Sequence, residues 1–175
     1  EAPAGSTLRL AAGEYPLASA LVLLDAVTLR GEGREATVLA SRALEAAVLV
    51  LADDRVELAD LAVVRAAEPP GSGVVAGGAA SVVLDGVRVS GARAGESQGG
   101  AGVLMVDADG EASGRGTTLE VTDSLFSDNA WAGVVVSGGH RVSILTSTFA
   151  GNGECGLCFL DASDGSVRDA VFDDN

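Results

Sequence analysis

The last third of the chain repeats itself, and nothing else in the sequence limits the fold as tightly. From Leu119 it reads LEVTDSLFSDNAWAGVVVSGGHR, then VSILTSTFAGNGECGLCFLDASDG, then SVRDAVFDDN. Phe126, Phe149 and Phe172 recur every 23 residues, as do Asn129, Asn152 and Asn175. Asp123, Thr146 and Asp169 keep the same interval, and so do Gly133 and Gly156. A fixed period of this length marks an architecture of stacked repeats.

Each period holds three short apolar runs of strand-like alternation, such as Val134 to Val136, Val142 to Ile144, and Thr148-Phe149. Gly, Ser, Asp and Asn separate them and supply turns. No segment carries apolar residues at helical spacing over the ten or so residues a helix needs. Three strands per coil, with coils stacked about 4.8 Å apart, make a parallel β-helix. Leu119, Val121, Asp123, Phe126, Asn129, Gly133, Val134 and Val136 follow a loose pattern of apolar-x-apolar-x-Asn-x-x-Phe-x-x-Asn, then Gly-apolar-x-apolar. In this the chain resembles the right-handed parallel β-helix repeats of the pectate-lyase-like superfamily. The resemblance implies an all-β, single-stranded solenoid with three short strands per coil and about seven coils. It leaves function open, since that superfamily holds lyases, hydrolases, epimerases, phage tailspikes and binding proteins.

The chain's 175 residues form one domain by length. Hydrophobic residues make up 47% but aromatics only 3%, so the core is aliphatic and thin, as in a solenoid. All 11 basic residues are Arg, against 25 acidic ones, for a net charge of −14. That balance opposes nucleic acid and anionic membrane as partners. No apolar run approaches a membrane span. The chain opens at Glu1 without Met or a signal sequence, and it stops at Asn175 inside a coil. Both ends suggest a processed chain or a domain of a longer repeat protein. The compartment is open, with secretion or the cell envelope favoured.

Residues 1–17 read as an entry coil, with a short strand at Leu8 and Leu10 and a Gly-x-Tyr turn at Gly13 to Tyr15. Strand-like runs follow at 21–23, 27–29, 38–39, 48–50, 56–58 and 63, and the Pro69-Pro70 turn does not interrupt the pattern. Val82, Leu84 and Val89 match Leu119, Val121 and Phe126, but at an interval of 37. The surplus falls in two inserted loops, near 91–101 and 107–117, flanking the strand Val103 to Val106. By resemblance, long loops beside this sheet wall a substrate groove; otherwise they are tolerated surface insertions.

Alternation sets Val22, Leu49, Val75, Leu104, Val135 and Cys158 on the outward face of this sheet. All are apolar, whereas a polysaccharide lyase or hydrolase needs carboxylates there. Such a stripe also calls for a cover: the inserted loops, further chain, or a second copy meeting it through Val75, Leu104, Val135 and Cys158.

Other candidate residues are few. Asp107, Asp109 and Glu111 have the alternation of a calcium loop or of a solvated acidic turn. Trp131 and His140, each the only residue of its kind, bracket one strand; with Asp128, Arg141 and Arg115 they form a candidate ligand-binding patch. Cys155 and Cys158 read as ordinary thiols. Residues three apart in a straight strand lie about 10 Å from each other, too far for a disulfide. Asp123, Thr146 and Asp169 occupy the place where the family often stacks an Asn ladder inside a turn. Asn129, Asn152 and Asn175 read as turn residues tolerating a left-handed backbone.

These features favour a non-catalytic β-helix module that binds protein or carbohydrate and self-associates through the apolar stripe, with no cofactor required. The rival is a polysaccharide-active lyase, hydrolase or epimerase with its groove between the inserted loops, using Asp107, Asp109, Glu111, Arg115 and His140.

Overall fold

A computed structural model describes residues 3–66, 68–77, 81–95, 99–106, 116–161 and 163–175. Among them are twenty short strands and no helix. The first coil comprises β1 (Ser6–Arg9), β2 (Gly13–Leu17) and β3 (Leu21–Leu23); the second β4 (Val27–Arg30), β5 (Thr37–Ser41) and β6 (Glu45–Val50). The third holds β7 (Arg55–Ala59), β8 (Ala62–Arg65) and β9 (Gly71–Ala76), and the fourth β10 (Ser81–Asp85), β11 (Arg88–Ser90) and β12 (Ala101–Met105). The fifth holds β13 (Thr118–Thr122), β14 (Leu125–Ser127) and β15 (Ala132–Ser137), and the sixth β16 (Arg141–Leu145), β17 (Thr148–Ala150) and β18 (Cys155–Leu160). Two strands of a seventh, β19 (Asp164–Arg168) and β20 (Val171–Asp173), complete the described chain.

Every third strand pairs in parallel with its counterpart one coil away, giving two seven-stranded sheets and one of six. We term them sheets A (from β1), B (from β2) and C (from β3). This is a parallel β-helix. Gly13 to Tyr15 lie within β2, so the expected turn there is a strand, with Tyr15 paired to Leu39.

The core is built from inward rows that repeat one residue per coil. Leu58, Leu84, Val121 and Ile144 stack on sheet A, and Val48, Val74, Val103 and Val134 on sheet C. Sheet B contributes Leu39, Val63, Val89, Phe126 and Phe149. All are buried. Phe126 and Phe149 stack with ring centroids 5.1 Å apart, and Phe149 and Phe172 at 4.8 Å. The 23-residue period is therefore the register of an aromatic column, each ring covered by the next.

The corners correct two expectations. At the corner from sheet A to sheet B, Asp60, Asp123, Thr146 and Asp169 adopt left-handed backbone, with φ between 46° and 53°. Asp123 and Thr146 are exposed; the buried ladder belongs to the next residues. Val87 N–H donates to Ser124 Oγ at 3.2 Å, and Ser124 N–H to Ser147 Oγ at 3.2 Å. At the corner from sheet B to sheet C the left-handed position falls on Asp128, Gly151 and Asp174, one before each asparagine. The asparagines are themselves the ladder. Asn129 Nδ2 donates to Asn152 Oδ1 at 2.9 Å, and Asn152 Nδ2 to Asn175 Oδ1 at 2.6 Å. The same amides reach the carbonyls of Val89, Phe126 and Phe149. A neutral amide both donates and accepts, so it repeats along a column without charge repulsion, as aspartate does not.

The 37-residue interval separates the fourth and fifth coils on sheets A and B. On sheet C, β12 pairs with β9 before it and β15 after it, so the surplus chain divides on either side of β12.

Candidate functional site: the outer face of sheet C

A column of glycines shapes this face. Pairing runs from Ala101 to Ala132 to Cys155, and from Val103 to Val134 to Leu157, while Gly102, Gly133 and Gly156 between them are skipped. A Cβ on Gly133 would stand 2.5 Å from Gly156 O and 2.8 Å from Phe149 Cδ1; on Gly156 it would meet Phe172 Cδ1 at 2.5 Å. The aromatic column thus presses against this sheet from within and leaves room only for glycine. The strands bend there.

The bend places residues three apart on one side. Ala101, Leu104, Ala132 and Val135 form a second buried cluster, outside the main core, with Val75, Val106, Trp131, Cys155 and Cys158 packed against it. In a straight strand such pairs would face opposite ways. Cys155 and Cys158 have Cα atoms 6.1 Å apart and form a disulfide. This overturns the expectation of free thiols, which assumed a straight strand.

The outward row lies where alternation set it: Val22, Leu49, Val75, Leu104, Val135 and Cys158 are successive register partners. Its exposure changes along the solenoid. Val22 is 44% exposed, Leu104 9% and Val135 fully buried, so the middle of the row is covered within the chain itself. Val75 and Cys158 are half-buried.

Beside the covered stretch, a cleft of about 540 Å³ opens onto Val75, Leu104 and Val106. Leu44 and Glu45 stand on one side. On the other, the first inserted loop is held by backbone bonds: Gly71 N–H donates to Arg93 O at 2.8 Å, and Arg93 N–H to Gly71 O at 3.1 Å. Ala94 and Gly99 then bridge antiparallel, and Gly95 and Gly99 line the cleft. Two polar groups interrupt the apolar lining. Ser72 is 1% exposed and, among the described residues, its Oγ has no hydrogen-bond partner. Glu45 has φ of 68°, a costly conformation for a residue with a Cβ.

The remaining candidates are dispersed. Trp131 lies at the entry to β15, its indole N–H donating to Glu154 Oε2 at 3.0 Å while its side chain packs on the outer cluster. His140 lies beyond the other end of that strand, 1% exposed, its Nδ1 accepting Thr117 N–H at 2.9 Å. An imidazole buried this way serves the fold. Arg141 begins β16 on sheet A, its Nε donating to Asp164 Oδ1 at 2.9 Å. This pairing lowers the Asp164 carboxyl below the usual range and raises the guanidinium. Asp128 is exposed at the corner from sheet B to sheet C. The structure does not bring these four into one patch. Asp107, Asp109, Glu111 and Arg115 lie outside the described residues.

Sequence reasoning missed Glu45 and Ser72. Glu45 pairs in register with Gly71, where the next coil has a glycine at φ 155°, but a single such pairing is not visible in the sequence without the register.

A family model described as a right-handed β-helix region matches residues 47–175. No curated protein and no solved structure matches the sequence.

Proposed function

Because the chain belongs to the right-handed β-helix family, which defines a fold and not a chemistry, we propose that it is a non-catalytic binding module whose recognition surface is the outer face of sheet C. The observation that carries this reading is the cleft on Val75, Leu104 and Val106, walled by the Leu44–Glu45 corner and the first inserted loop. Its lining is largely apolar, with Glu45 and Ser72 as its polar residues. That composition favours a polypeptide segment with an apolar anchor over a glycan, which needs a denser set of hydrogen-bonding groups. A net charge of −14 further favours a partner with basic residues around that anchor.

Peptide-library selection on the purified chain tests this. The selected peptides carry an apolar residue flanked by Arg or Lys, and Leu44→Glu with Val75→Glu lowers their affinity by about tenfold or more, the equivalent of one lost anchor. The rival is polysaccharide cleavage, and the observation in its favour is Glu45, a carboxylate-bearing residue held in a left-handed backbone conformation on the cleft wall. Release of oligosaccharides from an acidic polysaccharide, abolished by Glu45→Gln, would replace the binding reading with an enzymatic one.

A further inference from the structure

Next to the cleft, the outer face of sheet C carries an open apolar surface on its first coils. Val22, Leu24, Leu44 and Leu51 are 44%, 62%, 67% and 43% exposed. Val22, Leu49 and Val75 are register partners on β3, β6 and β9. Alternation sets Leu24 and Leu51 on the same outward side, each next after Val22 or Leu49. Leu51 N–H donates to Leu23 O at 2.9 Å and Gly77 N–H to Val50 O at 3.1 Å, so the ladder runs on past the strand ends. Leu24, Leu51 and Gly77 thus form a second row beside the first. The first row is open as far as Val75 and closes at Leu104. Leu44 stands exposed at the corner before β6.

Coils stack about 4.8 Å apart, which sets Val22 and Val75 about 10 Å apart along the axis. An α-helix laid along that axis presents residues i and i+7 on one face about 10.5 Å apart, with i+3 and i+4 between them. An extended strand in the same direction presents a same-face residue about every 6.7 Å and falls out of step with the row. Nor can Val, Leu and Gly side chains satisfy the backbone of an extended segment lying on them, whereas a helix bonds its own. Charge narrows the choice further. Asp25, Asp53 and Asp54 are exposed next to the Leu24–Leu51 row, and Glu45 next to Leu44. Against them stand Arg42, exposed near Leu44, and Arg55, which pairs with Glu57 at 3.4 Å.

Resting on the reading of sheet C as a recognition surface, we propose that its first three coils bind an amphipathic helix of a partner protein. The helix lies along the solenoid axis, its apolar stripe on Val22, Leu49 and Val75, between Leu44 and the Leu24–Leu51 row. Lys or Arg along its flanks meets Asp25, Asp53, Asp54 and Glu45. A second copy of the chain fits poorly, since it has no helix among its described residues and brings the same acidic flanks.

The test is fluorescence anisotropy of the whole chain with labelled peptides of about five helical turns, roughly 18 residues. One carries Leu at helical spacing in a background of Lys and Ala. A second has the same composition with its leucines alternating as in a strand, and a third replaces every Lys by Glu. The helical Lys peptide is expected to bind and to gain helix by circular dichroism. Leu24→Glu with Leu51→Glu, at exposed positions outside the cleft lining, weakens it by about tenfold or more. The other two peptides bind at least about tenfold more weakly than the first. Preferred binding of the strand-patterned peptide, lost in Leu44→Glu with Val75→Glu but kept in Leu24→Glu with Leu51→Glu, would overturn the helix and leave the cleft as the binding site. Equal binding of the Lys and Glu peptides, no binding of the helical peptide, or a dimer of the chain itself that Leu24→Glu with Leu51→Glu dissociates would also overturn it. Peptide selection that enriches no sequence at all would remove the binding reading and the helix with it.

Discussion

Asn152 is the residue on which the C-terminal coils converge. Its Oδ1 accepts from Asn129 N and Nδ2, and its Nδ2 donates to Phe126 O and Asn175 Oδ1. Removing it leaves at least two buried groups of neighbouring coils without partners. Asn152→Ala is therefore expected to cost about 2–4 kcal/mol, read from denaturant unfolding, given roughly 1–3 kcal/mol per buried unsatisfied group. Asp128→Asn, at an exposed left-handed position that asparagine tolerates, is expected to stay within about 0.5 kcal/mol of the parent. A reversed order of these two variants would contradict the ladder. The sequence makes every one of these positions visible through its period, yet the roles shift by one residue. Periodicity identifies which residues are equivalent; whether an equivalent residue turns the backbone or bonds inside the turn depends on a φ angle that spacing does not encode.

At the scale of elements, the strands of sheet C are where sequence reasoning succeeds and fails together. The outward row from Val22 to Cys158 was legible because alternation survives in each half of the strand. The disulfide was not, because the glycines that Cys155–Cys158 bends around are fixed from the far side of the wall, where Phe126 and Phe149 crowd Gly133, Phe149 and Phe172 crowd Gly156, and Asn129 crowds Gly102. Those contacts are long-range and leave no local trace beyond the glycine column. Alkylation of the unfolded chain without reductant, read by intact mass, is expected to label neither Cys155 nor Cys158, and prior reduction to expose both. Two labelled cysteines before reduction would mean a straight strand. Arg141 and Asp164 join β16 to β19 across the surface. Since the arginine lowers the Asp164 pKa, the pair favours the fold above the ordinary carboxylate range, and that support fades as pH falls through the lowered value. Both side chains are exposed, so the effect on unfolding is small. Arg141→Ala is expected to raise the Asp164 titration midpoint toward the ordinary value in a carboxyl-detected NMR titration. An unmoved midpoint would contradict the pairing.

At the scale of the whole molecule, the solenoid separates its faces by role. Its interior is a continuous aliphatic and aromatic core; sheet A turns mostly Thr, Ser and Glu outward in its central row, with Val83 the exception. Sheet C turns outward an apolar row that the chain buries at Leu104 and Val135 and leaves open beside them. The cleft itself was not legible, since it draws on segments distant in sequence, Leu44–Glu45 on one hand and Gly95 and Gly99 on the other, and no linear pattern brings those together. The measurement closest to the binding account is amide hydrogen exchange of the whole chain with and without a selected peptide. The account predicts added protection in β9, β12 and the corner at Leu44–Glu45, with sheet A unchanged. Protection confined to sheet A, or spread evenly with none at the cleft, would contradict it.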